Sequence, residues 1–405
     1  MTALPRALWN LAGPLLAGLA LVTAGWLFLR YGSANLSRIA TADMRPHVDF
    51  ETFWRSAVAL RHHEPSYRTG ATLPNLDPPL LAVLLVPLAG LDVLTAFHVF
   101  ALLNAVLVVG GVIVVADRLR VRQAWAMVAV AALLLSAPLQ STVALGQVYG
   151  LLTAGLTVAW LAARQGRSGW AGVALGLAIA LKPSLAPLLL WPVVQRRWST
   201  LFSALGAGAV ATAVGIAAAG WGDTLDWLRL LRAVRVTGFL DNDSLAALAV
   251  RFHLPPWLGC LVAAGLLGLT VYRARRRPEL ALWSITSAAL LLAPIAWNNY
   301  LVLLAPAVPV LLAAGQWRAA LPLVTLPVIG IEWVLLVPPG DSILSRLGLS
   351  VYCGMLLVHW AVLTFVPVPG SIPSPVPAEP AADDSDWSAE LDEAWLARER
   401  ERLST

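Results

Sequence analysis

Lys182 is the residue whose type and setting most suggest chemistry. Of the 28 lysines and arginines in the chain it is the only lysine, and it stands between two short apolar segments. An ammonium group is a compact, strongly hydrated charge that suits a phosphate oxygen. A cation at membrane depth is by default a functional candidate with an anionic partner. We therefore favour a binding role over a side chain that extends to the lipid headgroups.

Asp49 is the second candidate, in the sequence His47-Val48-Asp49-Phe50. A carboxylate at the mouth of a membrane cavity can take a proton from a sugar hydroxyl as that hydroxyl attacks. Aspartate is equally common as the N-cap of a helix. Position alone leaves both roles open.

Further polar residues stand at breaks between apolar segments. Asp77 closes the first long loop before Pro78-Pro79, and Gln147 starts an apolar segment. The others are His47, Asn242, Ser244, Trp297, Asn298, Asn299 and Tyr300. His62-His63-Glu64 is better interpreted as a solvated loop than as a metal site, because adjacent histidines on a helix point in different directions. We predict no cofactor, with a divalent metal ion as the less favoured alternative.

The composition shows what must position these residues. The 405 residues are 59% hydrophobic and only 13% charged, with a mean hydropathy of +0.74, whereas soluble domains carry roughly 25% charged residues. A bilayer core needs about 20 apolar residues per helix. The prediction is an all-α polytopic membrane protein with a bundle of roughly 11–13 transmembrane helices. Walker A, G-x-G-x-x-G, C-x-x-C and G-x-S-x-G motifs are absent, which argues against nucleotide-driven pumping and soluble hydrolase chemistry.

The apolar segments define the predicted spans. They cover roughly 11–29, 80–117, 124–137, 148–163, 169–181, 184–194, 200–219, 256–273, 279–294, 299–314, 320–337 and 345–366. In 80–117, Pro87 and Gly90 indicate one full span with a short re-entrant or tilted piece. The short pair 169–181 and 184–194 is typical of broken helices that line a cavity.

Arginine clusters predict the orientation. The clusters are Arg118, Arg120 and Arg122; Arg164 and Arg167; Arg196 and Arg197; and Arg273, Arg275, Arg276 and Arg277. Basic loops favour the cytoplasm, which places both termini there in a bacterial plasma membrane. The loops near 31–79, 136–147, 182–184, 220–256, 294–299 and 338–345 then face the exterior, and they carry the candidate residues. No nucleic-acid partner is predicted.

Two domains follow from the pattern. Residues 1–366 form the transmembrane catalytic domain, and 367–405 form a Pro-rich linker with an acidic cytoplasmic tail. The loop 31–79 contains an amphipathic helix, predicted to lie in the membrane interface on one apolar face. That face is made of Phe50, Phe53, Trp54 and Val58.

An ordered set of motifs resembles a known family. The motifs are Val48-Asp49-Phe50, Pro65-Ser66-Tyr67, Asp77-Pro78-Pro79, Gly146-Gln147, Leu181-Lys182-Pro183, Arg196-Arg197-Trp198, Asn242-Asp243-Ser244 and Ala293-Pro294-Ile295-Ala296-Trp297 with Tyr300. Their order and spacing over roughly residues 10–365 resemble glycosyltransferase family 87, polytopic enzymes of the GT-C class in actinobacterial envelope synthesis.

The resemblance implies a reaction and roles. Enzymes of the family move a sugar from a polyprenyl phosphate to a glycolipid or glycan acceptor at the exterior face. Asp49 would be the general base, and Lys182 would neutralise the leaving phosphate with help from Arg251. The remaining candidates would bind substrate: His47, Asp77, Gln147, Asn242, Ser244, Trp297, Asn298, Asn299 and Tyr300.

One departure leaves the donor sugar open. Family mannosyltransferases that elongate phosphatidylinositol mannosides commonly carry histidines where this chain has Asn298, Asn299 and Tyr300. Asparagine can donate a hydrogen bond but cannot carry a proton at neutral pH. The family's arabinofuranosyltransferases also lack the histidine pair and carry a comparable Leu-Lys-Pro element. Mannose is favoured, with arabinofuranose as the alternative.

Two other classes compete with an enzyme. A transporter or lipid flippase predicts repeat symmetry and ionisable groups near the midplane, whereas this chain shows no internal repeat and its candidates gather at one face. A scaffold in an envelope complex predicts that changes at Asp49 and Lys182 are silent.

Overall fold

The computed structural model describes residues 13–30 and 48–368, all within one compact unit, Met1–Ile372. The predictions for His47, for the cytoplasmic N-terminus and for the tail after residue 368 lie outside the described residues. Within the described ranges the regular elements are helices. The β-type pairing in these ranges is limited to one isolated antiparallel bridge between Asn242 and Trp297.

Seventeen α-helices, numbered α1 to α17, run through the described residues. They are Gly13–Arg30, Val48–Arg61, Pro79–Leu85, Val93–Arg118, Gln123–Leu135, Ala137–Leu145, Tyr149–Arg164, Ser168–Leu181, Leu190–Val194, Trp198–Ala233, Leu245–Arg251, Pro256–Ala274, Pro278–Leu292, Ala307–Ala313, Trp317–Thr325, Ile343–Gly348 and Val351–Phe365. Five 3₁₀-helices are interspersed: Val86–Gly90, Pro183–Leu189, Asn298–Leu304, Leu326–Val328 and Ile331–Leu336.

The helices confirm an all-α polytopic membrane protein. In the described part of the chain, α1, α4, α10 and α12 are long and apolar enough to cross a bilayer. Helices α5 and α6, bent by 53° at the break between them, would together make a fifth span. Other apolar helices are 10–17 residues long, so the predicted total of 11–13 spans stays a prediction.

The segment 80–117 divides as its proline and glycine predict. Helix α3 begins with Pro79 in its first turn, and the 3₁₀-helix Val86–Gly90 follows it directly. Helix α4 then starts at a cap on Asp92, whose carboxylate accepts hydrogen bonds from the backbone N–H groups of Leu94 and Thr95. One short broken piece therefore precedes one long helix.

Two predicted loops are helical instead. Residues 136–147 contain α6, because Ser136 caps its N-terminus and a proline occupies its first turn, where a missing N–H costs nothing. The predicted loop 220–256 begins inside α10, which bends at Gly220 (φ 84°, ψ 164°) and continues to Ala233. Gly220 itself is non-helical, a positive φ that glycine tolerates, so one helical segment ends there and a second continues to Ala233.

Helices α8 and α10 pack very closely at glycines of α8. A Cβ at Gly172 would stand 2.4 Å from the carbonyl oxygen of Thr200, and one at Gly176 would stand 2.2 Å from that of Ala204. Small residues let helix backbones approach in this way inside membranes. This contact holds the C-terminal end of α8, where Lys182 lies.

Helix α2 packs its predicted apolar face largely onto protein. The ring of Phe50 is fully buried and lies 5.5 Å from Phe97 and 5.6 Å from Phe100 of α4, between ring centroids. Phe53 is also buried, whereas Trp54 and Val58 are half-buried. The expectation that this face lies in the membrane interface is therefore wrong at Phe50 and Phe53, because protein covers both side chains, and Phe97 and Phe100 of α4 cover Phe50.

Candidate active site

The candidate residues meet at one end of the packed helices. Helix α7 starts at Tyr149, just after Gln147, and ends at Arg164, and its neighbour α8 returns from an arginine turn to Lys182. Helix α13 likewise runs from an arginine cluster toward Asn298. The alternation collects polar candidates at one end of these helices and arginines at the other.

Lys182 forms a buried ion pair with Asp77. Its Nζ lies 2.8 Å from Oδ1 of Asp77, and the two side chains are 16% and 4% exposed. The ammonium also faces the rings of Tyr149 and Tyr300, at 5.8 and 5.6 Å from their centroids. Lys182 leaves the helical conformation after α8, with φ −140° and ψ 85°, so the break in the helix brings the lysine to these partners.

Asp49 is held by Gln147. The amide Nε2 of Gln147 donates a hydrogen bond of 2.8 Å to Oδ2 of Asp49. Asp49 is the second residue of α2, which begins at Val48, so it lies inside the first turn and is not the N-cap. Its carboxylate is used in a contact with a residue 98 positions away.

Gly146 makes this contact fit. It closes α6 in the left-handed conformation, with φ 63° and ψ 47°. A Cβ at this position would lie 2.7 Å from the Cβ of Phe50. Only glycine allows α2 to approach so closely at this φ, and the approach places Gln147 beside Asp49.

Two tyrosines lie beside the two pairs. The rings of Tyr149 and Tyr300 are tilted by 46° with centroids 4.3 Å apart, and both face Lys182. Tyr149 follows Gln147, the partner of Asp49, by two residues. We call this set the Asp49 cluster, and its members are Asp49, Asp77, Gln147, Tyr149, Lys182 and Tyr300. Tyr149 is missing from the sequence predictions, and its only signal is its place two residues after Gln147.

The loop before α3 fixes Asp77. The side-chain oxygen of Asn75 accepts a hydrogen bond of 3.0 Å from the backbone N–H of Asp77. The hydroxyl of Tyr67 donates one of 2.7 Å to the carbonyl oxygen of Asp77. Burial raises the pKa of Tyr67, so its phenol keeps the proton that it donates. Both backbone groups of Asp77 are thereby held.

The second half of α10 anchors that loop. Oδ2 of Asp223 accepts hydrogen bonds from the backbone N–H of Ser66 at 2.7 Å and from its hydroxyl at 2.6 Å. The indole of Trp227 donates to the carbonyl oxygen of Leu76 at 3.0 Å. Asp223 is not among the residues predicted from the sequence, because no local signal links it to a serine 157 positions earlier.

Asn242 and Ser244 are engaged with backbone. Asn242 is fully buried, and its side-chain oxygen accepts from the N–H groups of Ala296 at 3.0 Å and Ser244 at 3.3 Å. Its amide nitrogen lies 3.3 Å from the carbonyl oxygen of Pro294. The hydroxyl of Ser244 caps α11 by accepting from Ala247. These contacts hold the segment before Trp297, and the side chains use their hydrogen-bonding groups within the protein.

Arg251 is also tied to its surroundings. Its Nε donates to the hydroxyl of Ser350 at 3.0 Å, and Nη1 donates to the carbonyl oxygens of Phe239 and Asn242 at 2.9 and 3.1 Å. The guanidinium is 6% exposed, and its Nη2 has no partner among the described residues. The structure does not bring it into the Asp49 cluster.

The residues before Tyr300 include buried polar atoms without partners. Trp297 forms the bridge with Asn242, and the backbone N–H of Asn298 donates to Asp241. In the described part of the chain, the side-chain oxygen of Asn298 and both side-chain polar atoms of Asn299 make no hydrogen bond. Such buried groups are rare and need an explanation, a catalytic role among them. Among the described residues no three of His, Cys, Asp and Glu come together as metal ligands would.

Comparison with known proteins agrees with the resemblance. The sequence profile of glycosyltransferase family 87 matches residues 75–297. The chain is 29% identical over 401 residues to a polyprenol-phosphate-mannose-dependent alpha-(1-2)-phosphatidylinositol mannoside mannosyltransferase of Mycobacterium tuberculosis, covering 89% of this chain and 90% of that one. It is 36% identical over 154 residues to an alpha-(1->3)-arabinofuranosyltransferase of Mycolicibacterium smegmatis, covering 35% of this chain and 34% of that one. No solved structure matches it. The family match spans more than half of the chain and includes Asp77, Gln147 and Lys182, so the chain belongs to glycosyltransferase family 87.

Proposed function

We propose that this membrane glycosyltransferase moves a sugar, with mannose favoured, from a polyprenyl-phosphate donor to a glycolipid or lipoglycan acceptor. Asp49 acts as the general base. The observation that carries the proposal is that the Lys182–Asp77 pair faces Tyr149, a residue two positions after Gln147, the hydrogen-bond partner of Asp49. A proton acceptor and a phosphate-binding cation thus stand in one cluster, as sugar transfer from a phosphate requires.

The reaction follows from these two groups. The acceptor hydroxyl oxygen attacks the anomeric carbon of the donor sugar, and the bond from that carbon to the phosphate oxygen breaks. The polyprenyl phosphate leaves with the bonding electrons, and Asp49 takes the hydroxyl proton. A positioned base contributes typically 10²–10⁴-fold to such a step.

Lys182 neutralises the charge that develops on the leaving phosphate. An ammonium has three N–H donors, so a phosphate oxygen can be bound while one donor stays on Asp77. The low exposure of the lysine strengthens the interaction, because charges act more strongly away from water. We assign this role to Lys182 and not to a metal ion, and we assign none to Arg251, which lies outside the Asp49 cluster and is held by Ser350 and backbone carbonyl groups.

The other candidates complete the proposed site. Gln147 orients Asp49, Asp77 orients Lys182, and Asn298 and Asn299 offer their unpartnered amides to sugar hydroxyls or phosphate oxygens. The arginine clusters at the opposite helix ends support an active site that faces the exterior of a bacterial plasma membrane.

The donor sugar has two candidates. The mannosyltransferase relative aligns over most of the chain, which favours mannose. The arabinofuranosyltransferase of Mycolicibacterium smegmatis aligns over about a third of it at a higher identity, so arabinofuranose is the alternative. The longer alignment supports the preference for mannose.

The test is a transfer assay with two donors. The purified chain in liposomes receives a phosphatidylinositol mannoside acceptor and radiolabelled polyprenyl-phosphate mannose or polyprenyl-phosphate arabinofuranose. We expect label in the glycolipid from the mannosyl donor. Label from the pentosyl donor alone would favour the alternative sugar. Movement of the labelled lipid across the membrane with no transfer from either donor would contradict an enzyme and favour a flippase.

A further inference from the structure

The arginines at the end of the bundle opposite the Asp49 cluster fall into two groups. Some are used within the protein: Arg197 donates to the carbonyl oxygen of Ala163 at 2.8 Å, and Arg277 donates to that of Thr364 at 2.9 Å. Such contacts satisfy carbonyl groups at helix C-termini. These arginines have a structural explanation and need no ligand.

Arg196 and Arg275 belong to the second group. Both are exposed, and neither makes an ion pair or side-chain hydrogen bond with any residue in the described ranges. They come from different parts of the chain, the turn after α9 and the C-terminal end of α12. Arg196 has a left-handed φ of 54°, a conformation that costs a non-glycine residue about 1–2 kcal/mol. The fold brings the two guanidinium groups to the rim of one cleft.

The cleft between α9 and α12 has apolar walls and a cationic rim. It is open to the surface, holds about 510 Å³ and is lined by Leu190, Val193, Val194 and Val271 together with the two arginines. The amide of Gln195 donates to the carbonyl oxygen of Ala274 at 2.7 Å and so fastens the two helices together at this level.

We propose that this cleft, the Arg196–Arg275 cleft, binds an anionic glycerophospholipid. The lipid phosphate lies between the two guanidinium groups, which match phosphate oxygens with paired N–H donors. An acyl chain runs along the valines, where its burial is favourable. The position fits a lipid, because the arginines end apolar helices and therefore stand at the depth of the headgroups.

The charge of the cleft selects the headgroup. Among the described lining residues both charges are positive and no carboxylate is present. An anionic headgroup neutralises them, whereas a zwitterionic headgroup brings a cation that the arginines repel. Basic pockets between membrane helices are a general mode of anionic-lipid recognition, with about fivefold in affinity for each arginine near the surface.

Lipid binding in this cleft should restrain the segment that leads to Lys182 at the other end of the bundle. Helix α9 continues directly from the 3₁₀-helix Pro183–Leu189, which starts next to Lys182. A lipid that joins α9 to α12 restrains this short broken segment. A ligand that binds only the folded state raises the melting temperature, so the effect is measurable without a transfer assay.

The test compares lipid retention in two double variants. The full-length protein in detergent is titrated with phosphatidylglycerol or phosphatidylcholine, and adducts are counted by native mass spectrometry beside thermal unfolding. Arg196→Gln/Arg275→Gln removes the rim. Arg120→Gln/Arg122→Gln is the matched control, since both arginines are exposed in the turn after α4 and Arg120 has nearly the same φ, 52°.

The proposal predicts a large difference between the variants. Phosphatidylglycerol binding should weaken about 25-fold in the rim variant, from about fivefold per arginine, and stay close to the wild-type level in the control, whose arginines do not line the cleft. Equal losses in both variants would contradict the cleft. So would equal retention of phosphatidylcholine by the wild type, a result that does not depend on whether the variants fold. A stabilisation by inorganic phosphate as large as that by the lipid would overturn a lipid site in favour of a free anion.

Discussion

The ammonium of Lys182 lies 2.8 Å from Oδ1 of Asp77, a residue 105 positions away in the chain. The pair is largely buried, and the ammonium faces the rings of Tyr149 and Tyr300. Removing either partner would leave the other charge buried and uncompensated, which is far costlier than removing both. The pair thus keeps a lysine charged at a depth where an isolated lysine would be unfavourable.

Variants of the Lys182–Asp77 pair allow its effect on stability to be measured separately from its effect on activity. Lys182→Gln should lower the free energy of unfolding by about 3–5 kcal/mol, because Asp77 loses its counter-ion. The double variant Lys182→Gln/Asp77→Asn removes both charges and should recover most of that loss. Its transfer activity should stay at the level of Lys182→Gln, since the phosphate-binding cation is still missing. Recovery of activity in the double variant would assign Lys182 a structural role only.

Gly146 should be intolerant of a side chain for two reasons. Gly146→Ala forces a left-handed alanine, at about 1–2 kcal/mol, and presses a methyl group onto Phe50, at about 1–3 kcal/mol more. Gly166→Ala is the control, with φ 74° but nothing within 4 Å of the added Cβ. Thermal unfolding should show a larger loss at Gly146, and transfer should fall only there. Equal losses would mean that contact with Phe50 is unimportant.

Replacing Asp223 should reduce stability and transfer more than replacing Asp226. Asp223→Ala leaves the N–H and hydroxyl of buried Ser66 without their acceptor, a loss of about 1.5–3 kcal/mol. Asp226 pairs with arginines that are 67% and 68% exposed, so Asp226→Ala should cost less than about 1 kcal/mol. We expect reduced transfer only in Asp223→Ala, through displacement of the loop that holds Asp77. Chemical unfolding beside the transfer assay distinguishes the two, and similar results for both variants would remove the proposed anchor.

Chelation tests the assignment of phosphate neutralisation to Lys182. If the lysine supplies the positive charge, excess EDTA should change the transfer rate by less than about twofold, because no step requires a metal ion. Lys182→Gln should remain inactive with added Mg²⁺ or Mn²⁺. Loss of activity in EDTA that returns with either metal would replace the lysine by a metal ion in this role.

The sequence predicts which residues form the site better than it predicts how those residues contact one another. Lys182 is visible because it is the only lysine between broken apolar segments, and Asp49 and Gln147 are visible as polar residues beside apolar runs. The pairing of Lys182 with Asp77 depends on how α8 packs on α10 and how α10 holds the preceding loop. Such contacts between distant residues leave no local pattern, and Tyr149 and Asp223 were missed for the same reason.

Helix boundaries in the fold are likewise only partly predictable from the sequence. Ser136 with a proline at position 138 suggests a loop in an apolar chain, yet the pair starts α6. Helices surrounded by protein and lipid are apolar on all sides, so periodicity does not mark the buried face. The predicted end of a span at residue 219 agrees with the non-helical backbone at Gly220, whereas the helical segment that continues from there to Ala233 is missing from the predictions.

The general-base role of Asp49 is the central claim. Asp49→Asn keeps the size of the side chain and its hydrogen bond from Gln147 but cannot accept the hydroxyl proton. Glu51→Gln is the matched control. Glu51 lies two residues after Asp49 in the first turn of the same helix, and its carboxylate is bound to Arg55. The decisive measurement is the rate of sugar transfer from radiolabelled polyprenyl-phosphate mannose by folded samples of each. We predict a loss of at least about 10²-fold in Asp49→Asn and near-normal transfer in Glu51→Gln, and near-normal transfer by folded Asp49→Asn would contradict the mechanism.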